Sequence, residues 1–282
     1  MQRNSCLGSQ WLYYKIYTGV KTADYILIEK LAPVITYLEK KKKIQKWFFI
    51  RYRDPEEHLR IRFLIDDAEN MTALINSFYP IFKELLDENI IWRIQTDTYQ
   101  REIERYGKKT IYDSEFLFWK DSKMILNYLS LKTSFIAKET PIFFSLLMVD
   151  SFLNSFRLSN LEKLILMDKL QIAFKEEFEI GKIQKKEMDI NYRSLYPQIK
   201  LFLEAENQDN FPEIFSIVNR KSNLIQKKVF EIIDKIQIPI DDFLSSHIHM
   251  MINRQYTSKQ RVYELVIYDH LYRYYKTLCY KK

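Results

Sequence analysis

The spacing of apolar positions changes character along this chain, and the changes mark out its elements. Residues 11–17 (WLYYKIY) are dense in aromatic and β-branched side chains and read as a strand. Residues 22–39 then place Ile26, Leu27, Leu31, Val34, Ile35 and Leu38 at helical spacing. Two β-rich runs follow, 46–53 (KWFFIRYR) and 58–65 (HLRIRFLI), joined by Asp54-Pro55-Glu56-Glu57, whose turn chemistry predicts an antiparallel hairpin. Residues 68–88 are helical and Ile90 to Tyr99 (IIWRIQTDTY) reads as another strand. From Asp113 onward the period is that of helices. Asp113-Ser114-Glu115 can cap a segment running to Leu131, and further segments cover 141–157, 159–178, 212–236 and 258–279. The expected fold is α+β: a mainly antiparallel, sheet-rich layer over 1–112 and a largely α-helical half over 113–282, packed as one domain. No internal repeat or low-complexity linker divides the chain.

Within the second run of the hairpin, His58-Leu59-Arg60-Ile61-Arg62-Phe63 alternates strictly between charged and apolar. Strand side chains alternate between faces. Leu59, Ile61 and Phe63 can therefore face a core while His58, Arg60 and Arg62 line the other side. Two guanidiniums and an imidazole in one row are costly unless an anion lies against them, and a carboxylate or phosphate suits forked arginine donors. Arg51 and Arg53 on the neighbouring strand are expected to join this row. The plainer reading is a half-solvated sheet face with scattered surface pairs.

Two further clusters carry candidate chemistry. In Tyr99-Gln100-Arg101-Glu102-Ile103-Glu104-Arg105-Tyr106-Gly107, Glu102 and Arg105 are neighbours on a helical turn, which by itself is a surface ion pair. In Ser245-Ser246-His247-Ile248-His249-Met250-Met251-Ile252-Asn253-Arg254, a helix would set His249 and Asn253 one turn apart on the same face. Histidine is the side chain best suited to move protons near neutral pH. The chain has only 4 histidines, and His58, His247 and His249 fall in these clusters. No cysteine or carboxylate pattern completes a metal set around His247 and His249.

Composition narrows the choice. With 47% hydrophobic and 15% aromatic residues, 282 residues can bury a substantial core. Glycine numbers only 4, against glycine-rich phosphate loops. The net charge of +7 suits an acidic peptide, a nucleic acid or simply a basic proteome, and the Lys40–Lys43 run follows an amphipathic segment as a solvated helix end would. No stretch is apolar for the length of a membrane span. The N-terminal MQRNSCLGSQ has no apolar h-region, and Cys6 and Cys279 lie near opposite ends, so a reducing, cytoplasmic setting is expected.

Taken together, the WLYYKIY run, Trp47 to Pro55 (WFFIRYRDP), the HLRIR run, the Tyr99–Gly107 segment, Glu115-Phe116-Leu117-Phe118 with Asp121-Ser122, and His249 to Arg254 resemble the C-terminal domain of lantibiotic dehydratases. The same domain occurs as a free-standing thiopeptide-type bacteriocin biosynthesis protein. One position departs: Lys108 stands where the family often has a second glycine. The resemblance implies a lyase. A separate tRNA-dependent dehydratase subunit esterifies Ser or Thr of a precursor peptide with glutamate, and this domain eliminates it to leave dehydroalanine or dehydrobutyrine. By similarity the elimination residues fall on Arg60, Arg62, Glu102, Arg105 and His249, with His58, Arg51 and Asn253 as further substrate-binding candidates. Glutamate leaves as a carboxylate and carries a second one, which fits arginine forks, each charge-assisted bond contributing about 1.5–3 kcal/mol. His249 is the candidate base, Glu102 could orient Arg105 or take a proton itself, and no cofactor is implied. Homodimer formation is left open.

Two rival readings stand beside it. Thiopeptide pyridine synthases resemble the same domain and join two dehydroalanines in a formal [4+2] cycloaddition with release of the leader peptide. They tend to lose the arginine and histidine set, which is complete here. A non-catalytic peptide-binding subunit that docks a dehydratase is the alternative of a different class.

Overall fold

The computed structural model describes residues 2–135, 138–206 and 208–280 and has the α+β architecture that the apolar spacing predicts. Strands β1 (Asn4–Ser5) and β2 (Trp11–Thr18) lead into a continuous helical run: α1 (Ala23–Tyr25), a wider π-helical stretch (Ile26–Leu31) and α2 (Ala32–Lys40). Ile26, Leu27, Leu31, Ile35 and Leu38 of that run are buried. The hairpin follows as β3 (Lys46–Arg53) and β4 (Glu57–Leu64), with a cis Asp54–Pro55 bond in its turn. Next come α3 (Ala68–Asp87), β5 (Ile91–Thr96), β6 (Tyr99–Gln100), α4 (Ile103–Tyr106) and α5 (Ile111–Leu131). Asp67 caps α3 by accepting the Asn70 N–H at 2.7 Å.

The main sheet is antiparallel in the order β3-β4-β2-β5, and β1 pairs with β6 apart from it. Residues paired across antiparallel strands share a face. Leu12, Tyr14, Leu59, Ile61 and Phe63 thus form one buried face. α3 covers it through Phe78 and Phe82, whose ring centres lie 5.1 Å from Phe63 and 5.2 Å from Tyr14 respectively. α5 packs on β3: Phe118 meets Phe48 at 5.4 Å, and Ser122 Oγ accepts the Phe49 N–H at 3.2 Å. Each large apolar side chain buried this way contributes about 1.5–3 kcal/mol.

The remaining helices are α6 (Thr140–Ser155), α7 (Asn160–Glu177), α8 (Lys182–Leu203), α9 (Pro212–Lys235), α10 (Ile240–Gln255) and α11 (Gln260–Tyr280). α8 has no counterpart in the apolar spacing. It buries only Tyr192, Ile199 and Phe202 and contains Pro197, so its apolar stripe is too sparse to read.

Two compact units result. The first holds the residues through Lys132 together with Lys235–Ile238 and Asn253–Ser258; the second holds the residues from Thr133 to Asp234, Pro239–Ile252 and those from Lys259 onward. α5 belongs to the first, where its buried side chains serve β3. In the second unit α7 packs against α11, with Phe174 edge-on to Tyr268 at 5.1 Å. Asp150 accepts there from Lys163 at 2.8 Å and from the Tyr275 hydroxyl at 2.7 Å. Among the described residues no helix is long and apolar enough to cross a membrane.

Candidate active site

The row on β4 alternates as its sequence requires, but its polar side is not an open surface. His58 and Arg62 are buried and Arg60 is half-buried. The hairpin register decides their neighbours. Phe48 pairs with Arg62, Ile50 with Arg60 and Tyr52 with His58, whereas Arg51 pairs with Leu59 and Arg53 with Glu57. Arg51 and Arg53 therefore lie on the opposite face and do not join the row, which corrects the expectation from the sequence. A shift of register by one residue exchanges faces, and the pairing is fixed by the turn.

Arg62 is 8% exposed and sits among rings. Its guanidinium carbon is 4.3 Å from the ring centre of Tyr13, 4.8 Å from that of Tyr99 and 5.3 Å from that of Phe48. Its buried Nε has no hydrogen-bond partner, and no carboxylate pairs with it among the described residues. Cation–π contact offsets part of the desolvation of a buried cation, yet a buried charge calls for an opposite one. Burial raises the pKa of Tyr13, and burial with Glu115 raises that of Tyr99, so both phenols keep their protons.

Arg60 is held by two neighbours. Its guanidinium stacks 3.4 Å over the Tyr52 ring, and its Nε donates to His58 Nε2 at 3.0 Å. His58 Nδ1 lies 2.8 Å from the Glu56 carbonyl. The imidazole that accepts from Arg60 must carry its proton on Nδ1 and donate it to that carbonyl. Burial first, then Arg60 and Lys15, push the His58 pKa down, which favours this neutral form. Both nitrogens being engaged, His58 serves to hold Arg60.

Arg51 is committed elsewhere. Its Nη2 pairs with Asp24 at 2.6 Å, and its Nε donates to the Arg254 carbonyl at 3.0 Å. Asn253 clasps its backbone: Oδ1 accepts the Arg51 N–H at 3.0 Å, and Nδ2 donates to the Arg51 carbonyl at 2.9 Å. This satisfies backbone groups of the edge strand β3 as a further strand would. Both functional atoms of Asn253 are occupied.

Glu102 and Arg105 form an exposed pair at 3.3 Å beside buried Tyr106. Gly107 that follows has φ +76°, and a Cβ there would stand 2.6 Å from Thr110 Oγ1, so glycine is required. Lys108 does not adopt a positive φ, and no second glycine is needed. In the same segment Arg101 is 3% exposed and grips Glu115, 1% exposed, through Nε at 2.6 Å and Nη2 at 3.3 Å.

His249 belongs to the second unit. Its Nδ1 lies 2.5 Å from Oε1 of Glu264, a carboxylate on α11 that is 1% exposed, while the ring is one-third exposed. Glu264 Oε2 accepts from Arg261 Nη1 at 2.9 Å, and the Tyr268 hydroxyl lies 3.5 Å from Oε1. Sequence reasoning missed Glu264. The signal was present: Glu264, Tyr268, Leu271 and Tyr275 follow one helical stripe and are all buried, which puts a carboxylate where an apolar side chain is expected.

Comparison with known proteins adds a family. Residues 11–275 match the family described as "Lantibiotic biosynthesis dehydratase C-term". The chain is 29% identical over 175 residues to the subtilin biosynthesis protein SpaB of Bacillus subtilis, covering 60% of this chain and 16% of that protein. It is 32% identical over 129 residues to the nisin biosynthesis protein NisB of Lactococcus lactis subsp. lactis, covering 44% and 12%. The chain thus spans less than a fifth of either relative. Among solved structures, the tRNA-dependent lantibiotic dehydratase MibB from Microbispora sp. 107891 matches over 99% of this chain and 29% of its own, with a TM-score of 0.78 and 17% identity. A pyridine synthase of thiomuracin biosynthesis, TbtD, matches over 95% and 99%, with a TM-score of 0.62 and 12% identity. At these identities the structural matches establish the shared fold.

Proposed function

The chain belongs to the lantibiotic dehydratase C-terminal family, and on that footing we propose that it is the elimination component of a split dehydratase, removing glutamate from glutamylated Ser or Thr of a precursor peptide. The observation that carries this reading is Arg62: a guanidinium buried among three aromatic rings with no carboxylate partner among the described residues. A carboxylate brought by a substrate supplies the charge that the fold leaves out.

In the reaction a base takes the Cα proton of the modified residue, the Cα=Cβ bond forms, and the Cβ–O bond breaks with its electron pair leaving on the glutamate carboxylate. His249, with its Nδ1 turned to Glu264, presents Nε2 as the base, a role contributing about 10²–10⁴ in rate. Arg62 receives a carboxylate of the glutamyl group, Arg60 is held ready by Tyr52 and His58 for a second anionic group, and Arg105 with Glu102 is a further charged pair of the first unit assigned to the reaction. Glutamylation belongs to a separate tRNA-dependent subunit in this reading. A cytoplasmic setting, where aminoacyl-tRNA is available, accompanies it.

Mass spectrometry of a glutamyl-ester precursor peptide incubated with this protein alone tests the proposal. Loss of glutamic acid with formation of a dehydrated residue is expected. Inertness toward that peptide, with leader-peptide release from a bis-dehydroalanine peptide in a parallel reaction, would replace elimination by pyridine synthesis. Full dehydration by a partner dehydratase together with an Arg62, His249 double variant would reduce the protein to a scaffold.

A further inference from the structure

We propose that Glu264 is the positioning residue of His249, fixing the tautomer that leaves Nε2 a proton acceptor. The inference rests on the elimination reading for the reaction that His249 serves, but its geometry is independent of that reading. Glu264 Oε1 lies 2.5 Å from His249 Nδ1. An ionised carboxylate only accepts, so the proton of the neutral ring resides on Nδ1 and the lone pair on Nε2. No interaction engages Nε2 among the described residues, and the ring is one-third exposed.

The carboxylate is itself held on both sides. Arg261 donates to Oε2 at 2.9 Å and pairs in turn with Glu177, and the Tyr268 hydroxyl approaches Oε1 at 3.5 Å. Around the imidazole stand Glu264 directly and, behind it, Arg261 and Tyr268 of α11 and Glu177 of α7. Packing gives no reason for a carboxylate in this stripe, since its companions Tyr268, Leu271 and Tyr275 are almost fully buried. Arg261 satisfies one oxygen and leaves the other for the imidazole. A carboxylate that orients an imidazole in this way sets its tautomer without itself taking the proton.

The test labels the histidines with ¹⁵N and reads their tautomers from long-range proton–nitrogen spectra, the His249→Ala protein identifying the relevant signal. The neutral His249 ring is expected with its proton on Nδ1. In Glu264→Gln, whose amide can donate to Nδ1, the proton should move to Nε2. Elimination from the glutamyl-ester peptide should then fall by about 10²–10⁴-fold in kcat rather than KM. Glu264→Asp should restore the tautomer and part of the rate. A neutral wild-type His249 protonated on Nε2 would overturn the inference whether or not any variant folds. So would a tautomer and a kcat unchanged in Glu264→Gln. Elimination retained by His249→Ala would instead remove His249 from the reaction, and it is read independently of the tautomer.

Discussion

Arg62 and Arg101 flank the same ring, that of Tyr99, at 4.8 and 5.7 Å, and both are almost wholly buried. Arg101 has Glu115, gripped through two nitrogens, and also donates to the Gln2 carbonyl. Arg62 has rings and an unpartnered Nε. Burial of a cation is costly in both places, but only at Arg101 does the fold supply the opposing charge. A paired buried guanidinium is part of the scaffold, and an unpaired one marks where the scaffold expects something else.

The sharpest way to break this contrast is to remove each arginine in turn. Arg101→Met leaves Glu115 buried without its cation, and is expected to lower unfolding stability by about 3–5 kcal/mol in urea titrations. Arg62→Met removes a cation that has no carboxylate partner among the described residues, so stability should change by about 1 kcal/mol or less. Elimination should instead fall by about 10²–10³-fold, as when a preorganised charge stabiliser is deleted. If Arg62→Met unfolded the protein as readily as Arg101→Met, Arg62 would be scaffold too.

The second unit offers a titratable version of the same comparison. Asp269 is buried and matched by Lys175 at 2.5 Å and Arg273 at 2.7 Å. Its neighbour His270 is equally buried, donates to or accepts from Asn191 at 3.1 Å through Nε2, and its Nδ1 makes no hydrogen bond but lies 4.0 Å from Asp269 Oδ2. Burial pushes its pKa down to about 4 against the pull of Asp269. The unfolded chain, with an imidazole pKa of about 6.5, binds the proton first as pH falls. Stability from this residue is therefore fully present above about pH 6.5 and lost on acidification toward about pH 4, about 3 kcal/mol in all. Denaturant titrations across that window should show the slope, and His270→Gln should flatten it.

The smallest effect belongs to the exposed pair. Breaking Glu102–Arg105 with Arg105→Ala should cost about 0.5 kcal/mol or less. A marked loss of elimination at intact stability would assign Arg105 to chemistry. A stability loss matching that of Arg101→Met would move it to the scaffold side of the comparison.

Much of this was legible along the chain. The alternation of β4 and the helical spacings of α3, α5, α7 and α11 are periodic burial written directly into local sequence, because each element presents one stripe to a core. α8 was not legible, its three buried residues being too few for a stripe. The HLRIR run, the Glu102–Arg105 spacing and the helical offset of His249 from Asn253 likewise follow from residue order alone. Which face Arg51 takes does not. That depends on the register of the hairpin, and the structure gives Arg51 to Asp24 and its backbone to Asn253, 202 residues away in sequence. Nor could residue order show that Arg62 goes unpaired while Arg101 is paired, or that a carboxylate fifteen residues after His249 meets its Nδ1. Periodicity determines which side of an element is buried. Whether a buried charge finds a partner there is decided by what other segments bring against it, and only tertiary packing settles that.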